Sequence, residues 1–265
     1  MEIRTIWFIA TAAMLVLLFG LVSSVTAQEP VEAAFVRGHF SEGSGIWRAD
    51  DFGWFYYDLD KGKGGEELRI DLQGRTAENG HIVYSSKTWS QPFEYEPWGS
   101  FHEVAFLGKP YLAGYPKNSF TDEISSLEKG ELRAVLMDDD GTQTLNYNST
   151  LTLQQGYVLA AAEVSDKKGA VNFVLLKNGN PVYASVVSIG DTFVYKVNDV
   201  PVILVHLASA MRGAEEGFAE VEGIFQVSDE PYIKLFEGGL LGNMKLTDLS
   251  EDFIEFQNNI SLTLY

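Results

Sequence analysis

The sequence contains 265 residues, no cysteine, 46% hydrophobic and 13% aromatic side chains, and a formal net charge of −18 at pH 7. The lack of cysteine excludes disulfide-stabilised folds and lipid attachment through cysteine, and the apolar content excludes a disordered chain. The charge argues against nucleic acid as a partner, because polyanion binding needs clustered Lys and Arg; an acidic surface instead associates weakly with cations. The chain is long enough for one large core or two ordinary ones.

The first 27 residues have the pattern of a secretory signal peptide. A short charged start at Met1–Arg4 precedes the apolar run Ile6–Val22, and small residues follow as far as Ala27. We therefore predict cleavage between Ala27 and Gln28. An uncleaved membrane anchor is the alternative, because the apolar run approaches the length that spans a bilayer. No comparable run follows residue 30, so the mature chain is predicted to carry no membrane span.

Beyond this leader, apolar and polar residues alternate with a period of two, which is typical of β-strands that bury one face. Glu67–Gln73 and Phe253–Phe256 are examples. The pair Asn178-Gly179 lies between the apolar runs Val171–Leu176 and Val182–Val187. An Asn-Gly pair in this position predicts a tight β-hairpin, because both residues tolerate positive φ.

One segment, Phe120–Lys129, has the spacing of a short helix that ends before a glycine. The acidic turn Asp138–Gly141 is the best internal boundary, because it is too charged to be buried. The predicted fold is all-β: two linked antiparallel β-sandwich subdomains, residues 28–140 and 141–265, after an N-terminal signal peptide at residues 1–27.

The sequence contains no recognisable motif for catalysis, cofactor binding or metal binding. None of His39, His81, His102 and His206 has a partner at helical metal-ligand spacing. The hydrolase nucleophile motif is absent, and the acidic run Asp138–Asp140 lacks the spacing of a calcium loop. We therefore expect no catalytic residue, no cofactor and no metal ligand, and a protein that is not an enzyme. A glycosidase needs two carboxylates at a defined separation in space, and the sequence alone does not identify such a pair.

Aromatic residues are concentrated in the first half, where Trp47, Trp54, Trp89 and Trp98 have two interpretations. They fill the first core, as aromatic residues in strands usually do, or they form an exposed platform that binds sugars. We favour the core. If the tryptophans instead form an exposed platform, the alternative function is that of a secreted carbohydrate-binding protein or glycosidase.

Two N-x-[ST] triplets are candidate N-glycosylation sites in an exported chain. They begin at Asn148 and Asn259, and both lie beside predicted turns, where a glycan would face solvent. We expect these two asparagines to carry glycans.

From about Ala33 to its end, the sequence resembles a known family in a series of ordered segments. These segments are Val36–Gly38, Phe52–Asp60, Gly74–Thr76, Tyr95–Ser100, Tyr111–Pro116, Val135–Asp140, Gly156–Tyr157, Pro201–His206, Arg212–Gly213 and Gly223–Asp229. In them the chain is similar to the S-layer family duplication domain of methanogenic archaea, which tiles the surface layer of these cells.

This resemblance implies two linked β-sandwich modules that pack side by side into a porous, acidic, glycosylated sheet outside the membrane. It brings no catalytic residues. It implies other S-layer subunits as partners and the cell envelope as the location. The chain departs from the family pattern: it contains one copy of the domain where layer-forming members hold two, it lacks their stalk and C-terminal membrane helix, and the family domain is expected to continue beyond Leu262. We therefore predict a structural component or accessory of the layer.

Overall fold

The fold is built from short β-strands. The computed structural model describes residues 34–36, 39–41, 44–146, 149–165, 169–212 and 217–263. These residues contain no α-helix, and their one helical element is the 3-10 turn Glu96–Trp98. In chain order the strands are β1 (Ala34–Val36), β2 (His39–Ser41), β3 (Gly45–Arg48), β4 (Glu66–Ile70), β5 (Thr76–Ala77), β6 (Ile82–Pro92), β7 (Ser100–Phe106), β8 (Lys109–Tyr115), β9 (Ile124–Ser125), β10 (Glu131–Leu132), β11 (Val135–Asp139), β12 (Gln143–Asn146), β13 (Thr150–Thr152), β14 (Tyr157–Ser165), β15 (Ala170–Lys177), β16 (Asn180–Ser188), β17 (Thr192–Val197), β18 (Val200–Arg212), β19 (Gly217–Val227), β20 (Ile233–Lys234), β21 (Leu240–Leu241), β22 (Met244–Leu249), β23 (Phe253–Asn258) and β24 (Leu262–Thr263).

The largest sheet is organised around the long strand β6. The N-terminal half of β6 lies between β4 and β23, and its C-terminal half pairs with β7. Strand β3 extends the sheet beyond β4, β22 and β21 extend it beyond β23, and β8 and β9 extend it beyond β7. The inner face of this sheet covers a core that includes Tyr84, Phe106, Leu127, Leu246 and Phe256.

A second, larger core lies between two sheets that face each other as in a β-sandwich. One sheet has the order β13-β14-β15-β16; the other has the order β11-β19-β18-β17, with β12 also paired to β19. Alternate residues of these strands, among them Leu159, Phe173, Phe193 and Leu204, are fully buried. All these strand pairs are antiparallel, so the prediction of an all-β, antiparallel fold is confirmed.

Strand pairing crosses residue 140 in both directions. Strand β11, which includes Asp138 and Asp139 of the predicted acidic turn, pairs with β19, and β23 pairs with β6 of the first half. Phe93, Trp98 and Phe101, also from the first half, belong to the larger core. The two cores are therefore joined by strands from both halves of the chain, and the boundary at residue 140 stays a prediction.

The hairpin predicted at Asn178-Gly179 is confirmed. Lys177 and Asn180 pair across a two-residue loop between β15 and β16. Asn178 and Gly179 have φ angles of 51° and 80°. Positive φ at both central residues is the geometry of a type I′ turn, whose twist matches that of the flanking strands.

The helix predicted at Phe120–Lys129 is wrong. The segment forms the short strand β9 and a turn, because the N–H groups of Ser126 and Leu127 donate hydrogen bonds to the carbonyl oxygen of Ala113 in β8 (2.8 and 2.9 Å). Leu127 is fully buried in the smaller core. Pairing and burial therefore outweigh a weak local preference for helix.

Candidate functional site

A buried carboxylate, Glu66, fixes the hairpin between β7 and β8. Its oxygens accept hydrogen bonds from the Tyr84 hydroxyl (2.8 Å), the Tyr56 backbone N–H (2.8 Å) and the Gly108 N–H (3.0 Å). Gly108 has a φ of 79°, and a Cβ there would lie 2.4 Å from the Trp54 carbonyl oxygen, so this close approach requires glycine. Because three donors occupy the carboxylate, the arrangement holds backbone in place and leaves no free base.

A second polar centre ties the loop after β19 to both cores. The fully buried Arg133 donates hydrogen bonds to the carbonyl oxygens of Ser228 and Asp229. The Asp229 carboxylate in turn accepts hydrogen bonds from the Tyr157 hydroxyl (2.9 Å) and from the Lys177 ammonium group. Burial alone would raise the pKa of Asp229, but these two hydrogen bonds outweigh it and hold the pKa below its usual value. The loop is thus fixed between β10–β11 and the sandwich.

Glu103 and Asp138 are two carboxyl groups that titrate closer to neutrality. Burial raises the pKa of Glu103 to about 7, and the nearby Lys61 offsets only part of this effect. Burial also raises the pKa of Asp138 to about 6, although Asp138 accepts a hydrogen bond from the Glu94 backbone N–H (3.0 Å). Two such groups could serve acid–base chemistry. Neither carboxyl lines the cleft of about 570 Å³, which is bordered by other residues, among them Arg48, Glu67, Arg69, Lys87 and Glu255.

Two of the histidines, His206 and His81, lie against neighbouring side chains. The ring of His206 stacks on Tyr95 with 4.9 Å between ring centroids, and burial lowers the pKa of His206. The Nδ1 atom of His81 lies 3.4 Å from a carboxylate oxygen of Asp71. Among the described residues, no group of three or more Cys, His, Asp or Glu side chains could hold a metal ion.

The tryptophans of the first half do not form one platform. Trp98 is only 4% exposed and donates a hydrogen bond from its ring nitrogen to the Thr192 hydroxyl (3.0 Å). Trp47 is also buried, and Trp89 stacks on Tyr56 with 6.0 Å between centroids. Trp54 differs from them, since it is 82% exposed. A single exposed ring offers less stacking area than a sugar-binding platform needs.

Among the remaining predicted sites, Ala27, Gln28 and Asn148 lie outside the described residues. Asn259 is exposed in the turn after β23, where its backbone N–H donates a hydrogen bond to the Asn243 carbonyl oxygen (3.0 Å). The hydroxyl of Ser261, the third residue of this triplet, donates a hydrogen bond to a Glu78 carboxylate oxygen (2.6 Å). The triplet is therefore held in a defined, solvent-facing conformation. Within the described part of the chain, no helix has the length and apolarity to cross a bilayer.

The two sheets differ on their outer faces, and the sequence analysis missed this difference. On the β4–β6–β23 face, the charged residues Glu67, Arg69, Lys87 and Glu255 line the cleft described above. On the β13–β16 sheet, most outward positions are Val, Ala, Leu, Thr and Asn, and Glu163, which pairs with the outward Asn172, places a carboxylate near one end. The available signal was the stretch 178–190, which lacks any charged residue.

Two interlocked β cores and buried polar centres that fix loops define a structural β-sandwich protein, suited to rigidity. The sequence matches the family model described as "S-layer protein" over residues 37–265. The chain therefore belongs to the S-layer protein family.

Curated relatives come from the genus Methanosarcina. The chain is 25% identical to the "Major S-layer protein" of Methanosarcina barkeri (strain Fusaro / DSM 804) over 244 residues, which cover 86% of this chain and 35% of that protein. It is 24% identical to the protein of the same name from Methanosarcina acetivorans over 248 residues, which cover 86% of this chain and 36% of the relative. The chain thus spans about a third of the length of the curated relatives it matches.

Proposed function

We propose that the protein is a structural component of a surface layer: a secreted, acidic tile in a porous protein coat outside the cell membrane. The observation that carries this proposal is the family match over residues 37–265. The fold supports it, because a lattice needs subunits that keep their shape, and the two cores share strands instead of being joined by a flexible linker. Other S-layer subunits are the proposed partners, and nucleic acid is not.

The proposal includes the absence of an enzymatic role. The donors around Glu66 and Asp229 are supplied by the chain itself, so these carboxylates fix loops. Neither Glu103 nor Asp138 lines the cleft. These contacts support a tile without catalytic residues or a cofactor.

The surface chemistry completes the proposal. We propose that glycans attach at Asn148 and Asn259, and the exposure of Asn259 supports the second site. We also propose that the leader is cleaved after Ala27, so that the mature chain begins at Gln28. The charge of −18 supports weak association of cations with the surface.

Cell envelopes provide the test. Envelopes of cells that make the protein are washed with or without a chelator, analysed by mass spectrometry, and imaged by electron microscopy with an antibody label. We expect the chain, starting at Gln28, to remain with the envelope and to lie in an ordered array. Release by the chelator would indicate that cations hold the subunits.

The opposite outcome is equally clear. A chain found only in the medium as a free monomer would contradict a role in the layer. Glycan-binding screens would follow, with Trp54→Ala as the informative variant, because Trp54 carries the exposed ring.

A further inference from the structure

The floor of the cleft on the β4–β6–β23 face is a row of polar side chains that crosses four strands. Strand pairing places Arg48, Glu67, Ser85 and Glu255 next to one another on β3, β4, β6 and β23. Ser85 therefore has a glutamate on the strand to each side. All four residues line the cleft, whose volume is about 570 Å³. This volume lies in the range of small-molecule sites, about 300–1,000 Å³.

Two cations lie on either side of this row. Arg69 follows Glu67 by two residues on β4, and Lys87 follows Ser85 by two residues on β6, so both point to the same side of the sheet as the row. Both also line the cleft and are exposed. In the described part of the chain, neither side chain has a hydrogen bond or salt bridge to the protein. Their donors are therefore available to a ligand.

The two glutamates of the row are held in place and keep one oxygen atom each for a ligand. One oxygen of Glu67 lies 3.1 Å from the Arg48 guanidinium. One oxygen of Glu255 accepts hydrogen bonds from the Thr247 hydroxyl (3.0 Å) and the Gln257 amide (2.8 Å). The second oxygen of each carboxylate has no partner among the described residues.

The wall of the cleft, formed by the loop at residues 57–65, is tied to the floor. Asp58 and Lys63 exchange backbone hydrogen bonds of 2.8 and 3.2 Å, and the carbonyl oxygen of Gly65 accepts one from the Lys87 N–H (3.1 Å). A Cβ on Gly65 would overlap the Lys87 carbonyl oxygen, so this close approach requires glycine. A site that is formed before binding avoids part of the cost of ordering.

The mixed charges of the lining limit the class of ligand. Besides the buried Glu66, the charged residues that line the cleft are three bases and three acids: Arg48, Arg69, Lys87, Asp50, Glu67 and Glu255. A simple anion would meet the two glutamates beside Ser85, and a simple cation would meet Arg69 and Lys87. An apolar ligand would remove water from these charges without replacing its hydrogen bonds. The ligand that fits is uncharged and both donates and accepts hydrogen bonds.

Sugars have this combination of properties. Each hydroxyl group is a donor and an acceptor, and neighbouring hydroxyls match the two-atom geometry of a carboxylate or a guanidinium. The aromatic residues Tyr57 and Trp89 also line the cleft. The ring of Trp89 is fixed by stacking on Tyr56, with 6.0 Å between centroids. Such rings offer an apolar surface to the carbon face of a sugar.

We propose that the cleft is a binding site for an uncharged oligosaccharide. Arg69 and Lys87 donate hydrogen bonds to sugar oxygens, the free oxygens of Glu67 and Glu255 accept them from sugar hydroxyls, and Ser85 does both. This site differs from a tryptophan platform, because the exposed Trp54 is not part of the lining. The assignment does not depend on the tile function.

The same sugar chemistry has two sources outside the cell. One is a glycan carried by a neighbouring copy of the chain, at Asn148 or Asn259, and the other is a polysaccharide that is not attached to the protein. A bound glycan of a neighbour would add a contact between subunits. The binding experiment distinguishes these sources by its two probes.

The purified protein is tested against a printed array of defined uncharged oligosaccharides and against oligosaccharides released by hydrazinolysis from envelope glycoproteins. Binding sugars are then measured by isothermal titration calorimetry. We expect at least one to bind with a Kd below about 1 mM. Binding of the released glycans supports the neighbouring copy as the source, and binding of array sugars alone supports a free polysaccharide. If neither probe binds at about 1 mM, the proposal is wrong.

Substitutions locate the site. Arg69→Ala and Lys87→Ala should each weaken binding at least about tenfold, because a hydrogen bond from a charged donor is lost. Both residues are exposed, so both variants should fold, which circular dichroism checks. Lys245→Ala, on the same sheet but outside the lining, and Trp54→Ala are the controls and should bind within about twofold of the wild-type protein. Loss of binding in Trp54→Ala but not in Arg69→Ala would overturn the assignment to the cleft.

Salt and competing anions test the charge of the ligand. Binding of an uncharged sugar should change by less than about twofold between roughly 50 and 500 mM sodium chloride, because no charge on the ligand is screened. Inorganic phosphate and a polyglutamate peptide should not compete at about 10 mM. Competition by either, or a tenfold loss of affinity with salt, would show an anion site and overturn the proposal. These results leave the envelope test of the tile function unaffected, since they are measured on the purified protein.

Discussion

The two sheets bury similar inner faces and differ on the outside. The outer face of the β4–β6–β23 region carries Glu67, Arg69, Lys87 and Glu255, whereas the β13–β16 sheet presents valine and alanine. Their interiors differ as well, since a buried carboxylate fixes the first region, whereas aliphatic and aromatic residues form most of the second core and the buried polar side chain there is the neutral Gln226, which bonds to the Gln154 backbone. Charges on an exposed sheet prevent association with other sheets. The difference therefore separates an outer face rich in charged side chains from one that is mostly apolar.

The largest expected loss of stability comes from removing the aromatic ring of Phe173, at the centre of the second region. Phe173 is fully buried and packs edge-on against Phe193, with 5.8 Å between centroids. We expect Phe173→Ala to lower the free energy of unfolding by about 3–5 kcal/mol, through lost burial and a cavity. Urea unfolding followed by tryptophan fluorescence measures the change. Val186→Ala, on the outer face of the same sheet, is the control and should cost less than about 0.5 kcal/mol.

The corresponding test of the first region removes its carboxylate. Glu66→Ala leaves the Tyr84 hydroxyl and the N–H groups of Tyr56 and Gly108 without their acceptor. Buried donors without partners cost about 1–3 kcal/mol, so we expect a loss of about 2–3 kcal/mol in urea unfolding. The neighbouring Glu67→Ala, on the outer face, should change stability little. Equal losses for both variants would show that Glu66 does not act as the acceptor for these groups.

Glu103 makes the stability of the first region depend on pH. Its pKa is about 7 in the folded protein and 4.5 for an unperturbed group. Ionisation is therefore harder in the folded state, and stability falls as the pH rises from about 4.5 to 7. Glu103→Gln removes this penalty and should stabilise the protein by about 2 kcal/mol at pH 8, with little effect at pH 4. Thermal unfolding at both pH values measures this effect, and the exposed Glu237→Gln should show no such pH-dependent gain.

The smallest expected effect on stability comes from making the two outer faces alike. The double variant Arg69→Val and Lys87→Val removes two positive charges from the first face and should change the free energy of unfolding by less than about 1 kcal/mol. If charge is what keeps this face solvated, the variant should self-associate more than the wild-type protein in sedimentation velocity at high salt. Unchanged sedimentation would mean that the shape of the cleft, and not its charge, prevents contact.

Local sequence chemistry predicted the parts of the fold that depend on neighbouring residues. The Asn178-Gly179 turn follows from two residues that accept positive φ, and the alternation in Phe253–Phe256 matches the buried Ile254 and Phe256. The prediction of a helix at Phe120–Lys129 was wrong because backbone N–H groups of this segment bond to the Ala113 carbonyl oxygen, which belongs to another strand. Pairing between β23 and β6 joins segments that are distant in the chain, and no local pattern encodes such a pair.

The buried Glu66 was missed, although the sequence contained a signal. Glu66 has the same parity as Leu68 and Ile70, so the alternation places it on the inner face. A glutamate there is a candidate for a buried hydrogen-bonded acceptor. Its donors, Tyr84 and Gly108, come from other strands, and their approach depends on tertiary structure. The contrast between the two outer faces was missed for a similar reason, since each face forms only when its strands align.

The position of β23 has a consequence for how the chain is made. Residues 83–87 of β6 lack one neighbouring strand until residues 253–257 are available to pair with them. Contacts of such large sequence separation slow folding, so the sheet around β6 stays open on one side until then. An open strand edge can pair with another chain, so this half of β6 is exposed to mispairing for as long as β23 is missing.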